Sequence, residues 1–195
     1  RNVKVRIGIN SGSVRPREGL EVSSEANAGE MAELMVRTAL ECCAEAEEAG
    51  CANLVISLKA SDVPTTIRAY RLAAGRCDYP FHVGVTAAGP PETSLVKSAV
   101  GIGSLLSQGI GDTIRVSMTG PPQREVQAGL RILEALELRE MQGPEIVSCP
   151  TCGRCNVNLE ELVEDVSGRL KDCPKSLKVA VMGCVVNGPG EAAEA

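Results

Sequence analysis

Four times in succession a short β-branched run is followed by a longer stretch rich in Ala, Leu and Glu, and this alternation restricts the fold more than any other feature. The runs span 3–10, 53–59, 81–86 and 113–117, and the stretches near 29–49, 63–76, 92–108 and 122–137 carry apolar residues at helical spacing. Strand and helix in strict alternation predict a parallel sheet with right-handed crossovers, covered by its helices. Aromatics make up only 2% of the chain, with no Trp, one Phe and two Tyr. Packing therefore rests on Val, Ile, Leu and Ala, which suits buried parallel strands.

Four strand–helix units are half of a (β/α)8 barrel, whose full set of eight takes about 250 residues. An open half leaves two strand edges unpaired. The expected fold is α/β: the C-terminal half of a TIM-type (β/α)8 barrel over residues 1–142, in a chain whose first four units are missing, then a small α/β domain over 143–195. Met141-Gln142-Gly143-Pro144 reads as the hinge. Beyond it, 145–148 and 177–182 read as strands and 159–170 as an amphipathic helix.

Alternation within the first four strands separates two faces. Val5, Ile7 and Ile9 oppose Arg6, Gly8 and Asn10; Leu54, Ile56 and Leu58 oppose Val55, Ser57 and Lys59. Phe81, Val83 and Val85 oppose His82, Gly84 and Thr86, and Ile114 and Val116 oppose Thr113, Arg115 and Ser117. The oily face meets the helices. The other is small and polar, with a cation in three of the four strands. Converging cations need an anion or paired carboxylates. Asn10, Lys59, Arg115 and Ser117 stand at or near C-terminal strand ends, where barrel active sites are built, so a polyanionic ligand is expected. Internal salt bridges to Asp62 or Asp112 are the alternative; Asp62 also stands where it would cap the next helix. His82, the single histidine, lies on the polar face and reads first as a hydrogen-bonded core residue.

Cys149-Pro150-Thr151-Cys152 puts two thiols three positions apart on a turn, and Cys184 in Met182-Gly183-Cys184 offers a third. Soft thiolates on two rigid turns suit iron–sulfur or zinc, and spacing alone leaves both open, since Cys152 and Cys155 also stand three apart and Cys173 or Cys184 could complete a four-thiolate zinc site. Glu191 can supply an oxygen to one iron, at a position an oxygen-bearing substrate could take over, although by residue type alone it reads first as a solvated acid. Cys42, Cys43, Cys51 and Cys77 lack ligand spacing and read as packing residues.

The formal charge of -5 and pI near 5.1 argue against a partner bound through a general basic field, such as nucleic acid or an anionic membrane. No apolar run is long enough to span a bilayer. Nine cysteines with no secretory signal in the given sequence point to a reducing, cytoplasmic setting.

SCPTCGR and MGCVVNGPGEA, with RIGIN, SLKASDV, FHVGVT, VKSAVGIG and GIGDTIRVSMTG upstream, resemble the 4-hydroxy-3-methylbut-2-enyl diphosphate synthase family over nearly the whole chain. The resemblance implies a [4Fe–4S] cluster held by Cys149, Cys152, Cys184 and Glu191, with Glu191 also catalytic. It implies that Arg6, Asn10, Lys59, Arg115 and Ser117 hold the diphosphate of 2-C-methyl-D-erythritol 2,4-cyclodiphosphate, and that ferredoxin or flavodoxin supplies two electrons. It further implies a head-to-tail homodimer in which the cluster domain of one chain covers the barrel of its partner. Cys155 and Cys173 fall outside the family pattern. The chain departs from it at Thr86-Ala87-Ala88-Gly89, where the family has an active-site Glu in place of Ala87. A non-catalytic or degenerate metal-binding fragment of the same fold is the rival reading.

Overall fold

In a computed structural model of the chain, which describes residues 3–14, 27–86, 89–186, 188–193 and 195, two compact units form, Arg1–Leu138 and Arg139–Ala195. Position 87, where the family places its Glu, lies outside the described residues.

In the first unit strands and helices alternate: β1 (Val5–Asn10), α1 (Ala28–Glu48), β2 (Leu54–Lys59), α2 (Val63–Ala74), β3 (His82–Gly84), α3 (Pro91–Leu106), β4 (Thr113–Arg115) and α4 (Pro122–Ala135). Residue chemistry sets the helix starts. Asn27 accepts from the Gly29 and Glu30 amides while Glu30 reaches back to the Asn27 amide, a reciprocal cap. Asp62 accepts from the Thr65 amide at 2.7 Å, and a proline in the first turn of α2 gives up a donor that had no partner there. The expected strands lose one to three residues: pairing stops at Gly84 and Arg115, so Ser117 lies beyond the last paired position of β4.

All pairings are parallel, β1 with β2 from Val5–Leu54 to Asn10–Lys59, and β3 with β4 from His82–Thr113 to Gly84–Arg115. Leu54, Ile56, Leu58 and Val83 bury against Met35, Val36, Tyr70, Ile102 and Leu105, so the oily face meets the helices as alternation requires. Burying each such side chain stabilises by about 1.5–3 kcal/mol, which is what holds the helices to the sheet.

Between β2 and β3 the ladder shrinks to one bridge, Ile56–Phe81, for a reason that begins in α2. The Tyr70 hydroxyl stands where the next ladder bond would run: it accepts from the Leu58 amide at 2.9 Å and donates to the His82 carbonyl at 2.5 Å. Thr66 Oγ1 likewise accepts from the Ala60 amide at 3.2 Å. The Tyr70 hydroxyl thus replaces a backbone partner on each strand, and direct pairing resumes where the Thr86 amide donates to the Ala60 carbonyl at 3.0 Å. Burial pushes the Tyr70 phenol up to about 12, so it remains a donor at any ordinary pH. Tyr70→Phe strands two buried backbone groups and is expected to cost about 1–3 kcal/mol, with faster hydrogen exchange at the Leu58 amide; an unshifted urea midpoint would contradict this account.

In the second unit β5 (Glu145–Ser148) pairs in parallel with β6 (Lys178–Val181), α5 (Leu159–Leu170) packs on both, and α6 (Gly188–Ala192) packs on β6. Gly188, Pro189 and Gly190, residues of turns by propensity, here form a one-turn helix carrying Glu191. Proline is tolerated in a first turn, where its missing N–H costs nothing.

Candidate functional site

The polar face of the first unit is ordered in rows. Register sets Asn10 beside Lys59 and Gly84 beside Arg115, and the bridge between β2 and β3 aligns Lys59 with Gly84. Lys59 is only 5% exposed. Its stem runs over Gly84, where a Cβ would lie 3.3 Å from Lys59 Cε and 2.5 Å from the Arg115 carbonyl oxygen; only glycine admits the lysine. Burial, then Arg115 and Arg6, pull Lys59 down to about 8. Arg6 and Asn10 are exposed, as is Arg115, whose guanidinium donates to Ser117 Oγ from Nε at 2.9 Å and Nη2 at 2.6 Å.

The salt-bridge alternative does not hold among the described residues. Asp62 caps α2 and the Asp112 carboxylate accepts from the Phe81 amide at 2.7 Å, so both acids serve the backbone. Arg6, Lys59 and Arg115 gather on one face with no carboxylate recorded against them among the described residues. Such a face can bind an oxyanion with several oxygens, each cation neutralising part of its charge.

In the second unit Cys149 follows directly after β5 and Cys184 lies three residues past the end of β6. The Gly183 amide donates to Cys149 Sγ at 3.2 Å, bringing the first thiol onto the turn that carries Cys184. Further bonds fix the loop: Cys152 N–H to Pro150 O at 2.8 Å, Cys155 N–H to Cys152 O at 2.9 Å, and Asn156 N–H to Gly183 O at 3.0 Å. A Cβ on buried Gly183 would sit 2.4 Å from Cys155 Sγ, so the absent side chain makes room for that thiol. Cys152 and Glu191 are exposed. Among the described residues no three His, Cys, Asp or Glu side chains gather closely enough to hold a metal ion. The structure joins the Cys149 and Cys184 turns and leaves the set of four donors unclosed.

The donor chemistry nevertheless suits an iron–sulfur group: soft sulfurs on two joined turns, with a backbone N–H already directed at one of them. Cys43, Cys51 and Cys77 pack in or against the core of the first unit. Cys43 is 1% exposed and pushed up to about 11, chiefly by burial, and Cys77 Sγ donates to the Ala73 carbonyl at 3.3 Å.

Comparison with known proteins settles the family. The GcpE TIM-barrel domain matches residues 1–130 and the GcpE protein C-terminal domain matches 145–195. This chain belongs to the GcpE family. It is 53% identical over 195 residues to a Geobacter sulfurreducens protein and 51% identical over 195 residues to one from Ruminiclostridium cellulolyticum, covering 100% of this chain and 54% of each relative. A Salinispora arenicola relative is 52% identical over 193 residues, covering 99% of this chain and 48% of its own length. All three are named 4-hydroxy-3-methylbut-2-en-1-yl diphosphate synthase (flavodoxin). This GcpE chain therefore spans about half the length of these relatives. No helix among its described residues is long and apolar enough to cross a membrane.

Proposed function

We propose that this chain supplies the diphosphate-holding wall of a half-barrel and the cluster-binding domain of an enzyme of isoprenoid biosynthesis. The reaction is the reductive opening and dehydration of 2-C-methyl-D-erythritol 2,4-cyclodiphosphate to 4-hydroxy-3-methylbut-2-enyl diphosphate. Two electrons and two protons enter, a ring C–O bond to phosphate breaks, and one hydroxyl leaves as water. The observation that carries this reading is Lys59, a buried lysine flanked by Arg6 and Arg115 with no acid recorded against it among the described residues, in a chain whose relatives are named for a diphosphate product.

Arg6, Lys59 and Arg115 neutralise the diphosphate oxygens, while Asn10 and Ser117 orient them by hydrogen bonds. Cys149, Cys152, Cys184 and Glu191 would hold the [4Fe–4S] cluster. When bound, such a cluster supplies electrons one at a time, with flavodoxin or ferredoxin as donor. The working protein is a cytoplasmic homodimer.

Anaerobic reconstitution with iron and sulfide tests the second half of this assignment. The expected result is about four iron and four sulfide per chain, with visible absorption that bleaches on reduction. Cys149→Ala, Cys152→Ala or Cys184→Ala should each abolish that signal. Stoichiometric zinc in place of iron would overturn the cluster and favour the metal-binding fragment.

A further inference from the structure

Below the row of cations lies a second row, and two of its members carry a buried polar atom outside any well-formed hydrogen bond. Register sets Gly8 beside Ser57 and His82 beside Thr113, and the Ile56–Phe81 bridge brings Ser57 next to His82. Ser57 is 2% exposed. His82 Nε2 is buried with no hydrogen-bond partner among the described residues, while Ser57 Oγ is buried, interacts with the Tyr70 hydroxyl and makes no bond of full hydrogen-bond geometry. A buried polar atom left without a well-formed bond costs about 1–3 kcal/mol, and native proteins seldom carry two as neighbours unless a further group serves them. A Cβ on Gly8 would meet nothing within 4 Å, so open space borders Ser57.

We infer that Ser57 Oγ and His82 Nε2 are two further ligand-binding atoms, each donating a hydrogen bond to an oxygen of the phosphate group held by the cations of the adjoining row. This rests on reading the cationic face as a diphosphate site. A cation is repelled from this row by Arg6, Lys59 and Arg115, which leaves oxyanion oxygens as the chemistry it accepts. Thr113 Oγ1 lies 2.8 Å from His82 Nδ1; when that hydroxyl donates to Nδ1, the imidazole proton is left on Nε2, directed toward the ligand. Burial, then Lys59, Arg6 and Arg115, hold His82 down to about 4, so above that pH the ring is a neutral donor. Such donors fix the direction of a phosphate oxygen without adding a fourth charge to three that already repel one another.

The single histidine makes the test direct, because a long-range proton–nitrogen NMR spectrum of the 15N-labelled chain contains one imidazole. On titration with inorganic pyrophosphate, the His82 Nε2 signal should move, saturate with the dissociation constant found by calorimetry, and be of the protonated, pyrrole type in the complex. His82→Phe and Ser57→Ala should each weaken binding by about tenfold, the worth of one hydrogen bond to a charged group, whereas His82→Gln, which keeps an N–H donor, should retain most of it. Binding that leaves the imidazole unmoved, or leaves Nε2 unprotonated, overturns this inference alone. Failure of the wild-type chain to bind pyrophosphate overturns it together with the diphosphate reading beneath it.

Discussion

Lys59→Met should weaken pyrophosphate binding by about 100-fold and at the same time raise the melting temperature. The two effects have one origin. Lys59 keeps an ammonium in a buried position between Arg115 and Arg6, with its stem threaded over Gly84. Until an anion arrives, that charge is desolvated and repelled, and a methionine of similar length removes both penalties. The sign of the pH dependence follows. Lys59 is lowered from 10.5 to about 8, so the folded state sheds its proton more readily than the unfolded chain. Stability therefore rises with pH between about 8 and 10.5, and below 8 the residue, charged in both states, adds no slope. Lys59→Met should flatten that rise. A bound polyanion restores the ammonium, so near pH 8.5 wild-type binding takes up part of a proton at Lys59. This is measurable as a dependence of the calorimetric heat on buffer ionisation enthalpy, and the proton uptake should shrink in the variant. An affinity changed by less than about threefold, or a melting temperature that falls, would show that Lys59 is a structural cation rather than an anion's partner.

The cationic face is legible in the sequence because strand alternation has a period of two and survives errors at strand ends. β3 is three residues shorter than expected and β4 two, yet Arg6, Lys59, His82 and Arg115 keep their face. What local pattern cannot show is the partner of an atom far along the chain. The Tyr70 hydroxyl bonds Leu58 and His82, each twelve residues away, and a buried helical tyrosine gives no sign that its oxygen stands in for a ladder bond. The pairing of Ser57 with His82 also depends on the β2–β3 register, which that hydroxyl helps to set. In the second unit Gly188, Pro189 and Gly190 are residues of turns by propensity, and packing of α6 on β6 overrides this. The thiol spacing at Cys149 and Cys152 was readable; the Gly183 N–H directed at Cys149 was not, because it depends on how β5 and β6 pair.

Gly183→Ala should abolish cluster reconstitution, and a second substitution should restore it. Gly183 does not occupy the left-handed backbone region, so the effect of an added methyl is steric rather than conformational. That methyl would lie 2.4 Å from Cys155 Sγ and 3.4 Å from Leu159 Cδ2. The thiol has little freedom to retreat, since Cys155 Sγ donates to the Val157 carbonyl at 3.3 Å and its amide is bonded to Cys152 O. Relief must come from the turn itself, which separates Gly183 from Cys149 Sγ and moves Cys184 away from the first thiol. Overpacking of this kind costs about 1–3 kcal/mol, a large part of what so small a unit has available. Truncating the obstacle removes the clash, because the Cys155 Cβ that Cys155→Ala retains stands 3.6 Å from the new methyl, an ordinary contact. The double variant Gly183→Ala/Cys155→Ala should then regain iron and visible absorption, whereas Cys155→Ala alone keeps them, and the cycle should be strongly non-additive. Loss of iron in Cys155→Ala would make that residue a ligand. A double variant as iron-poor as Gly183→Ala would mean that the glycine serves the cluster by something other than the room it leaves for a sulfur.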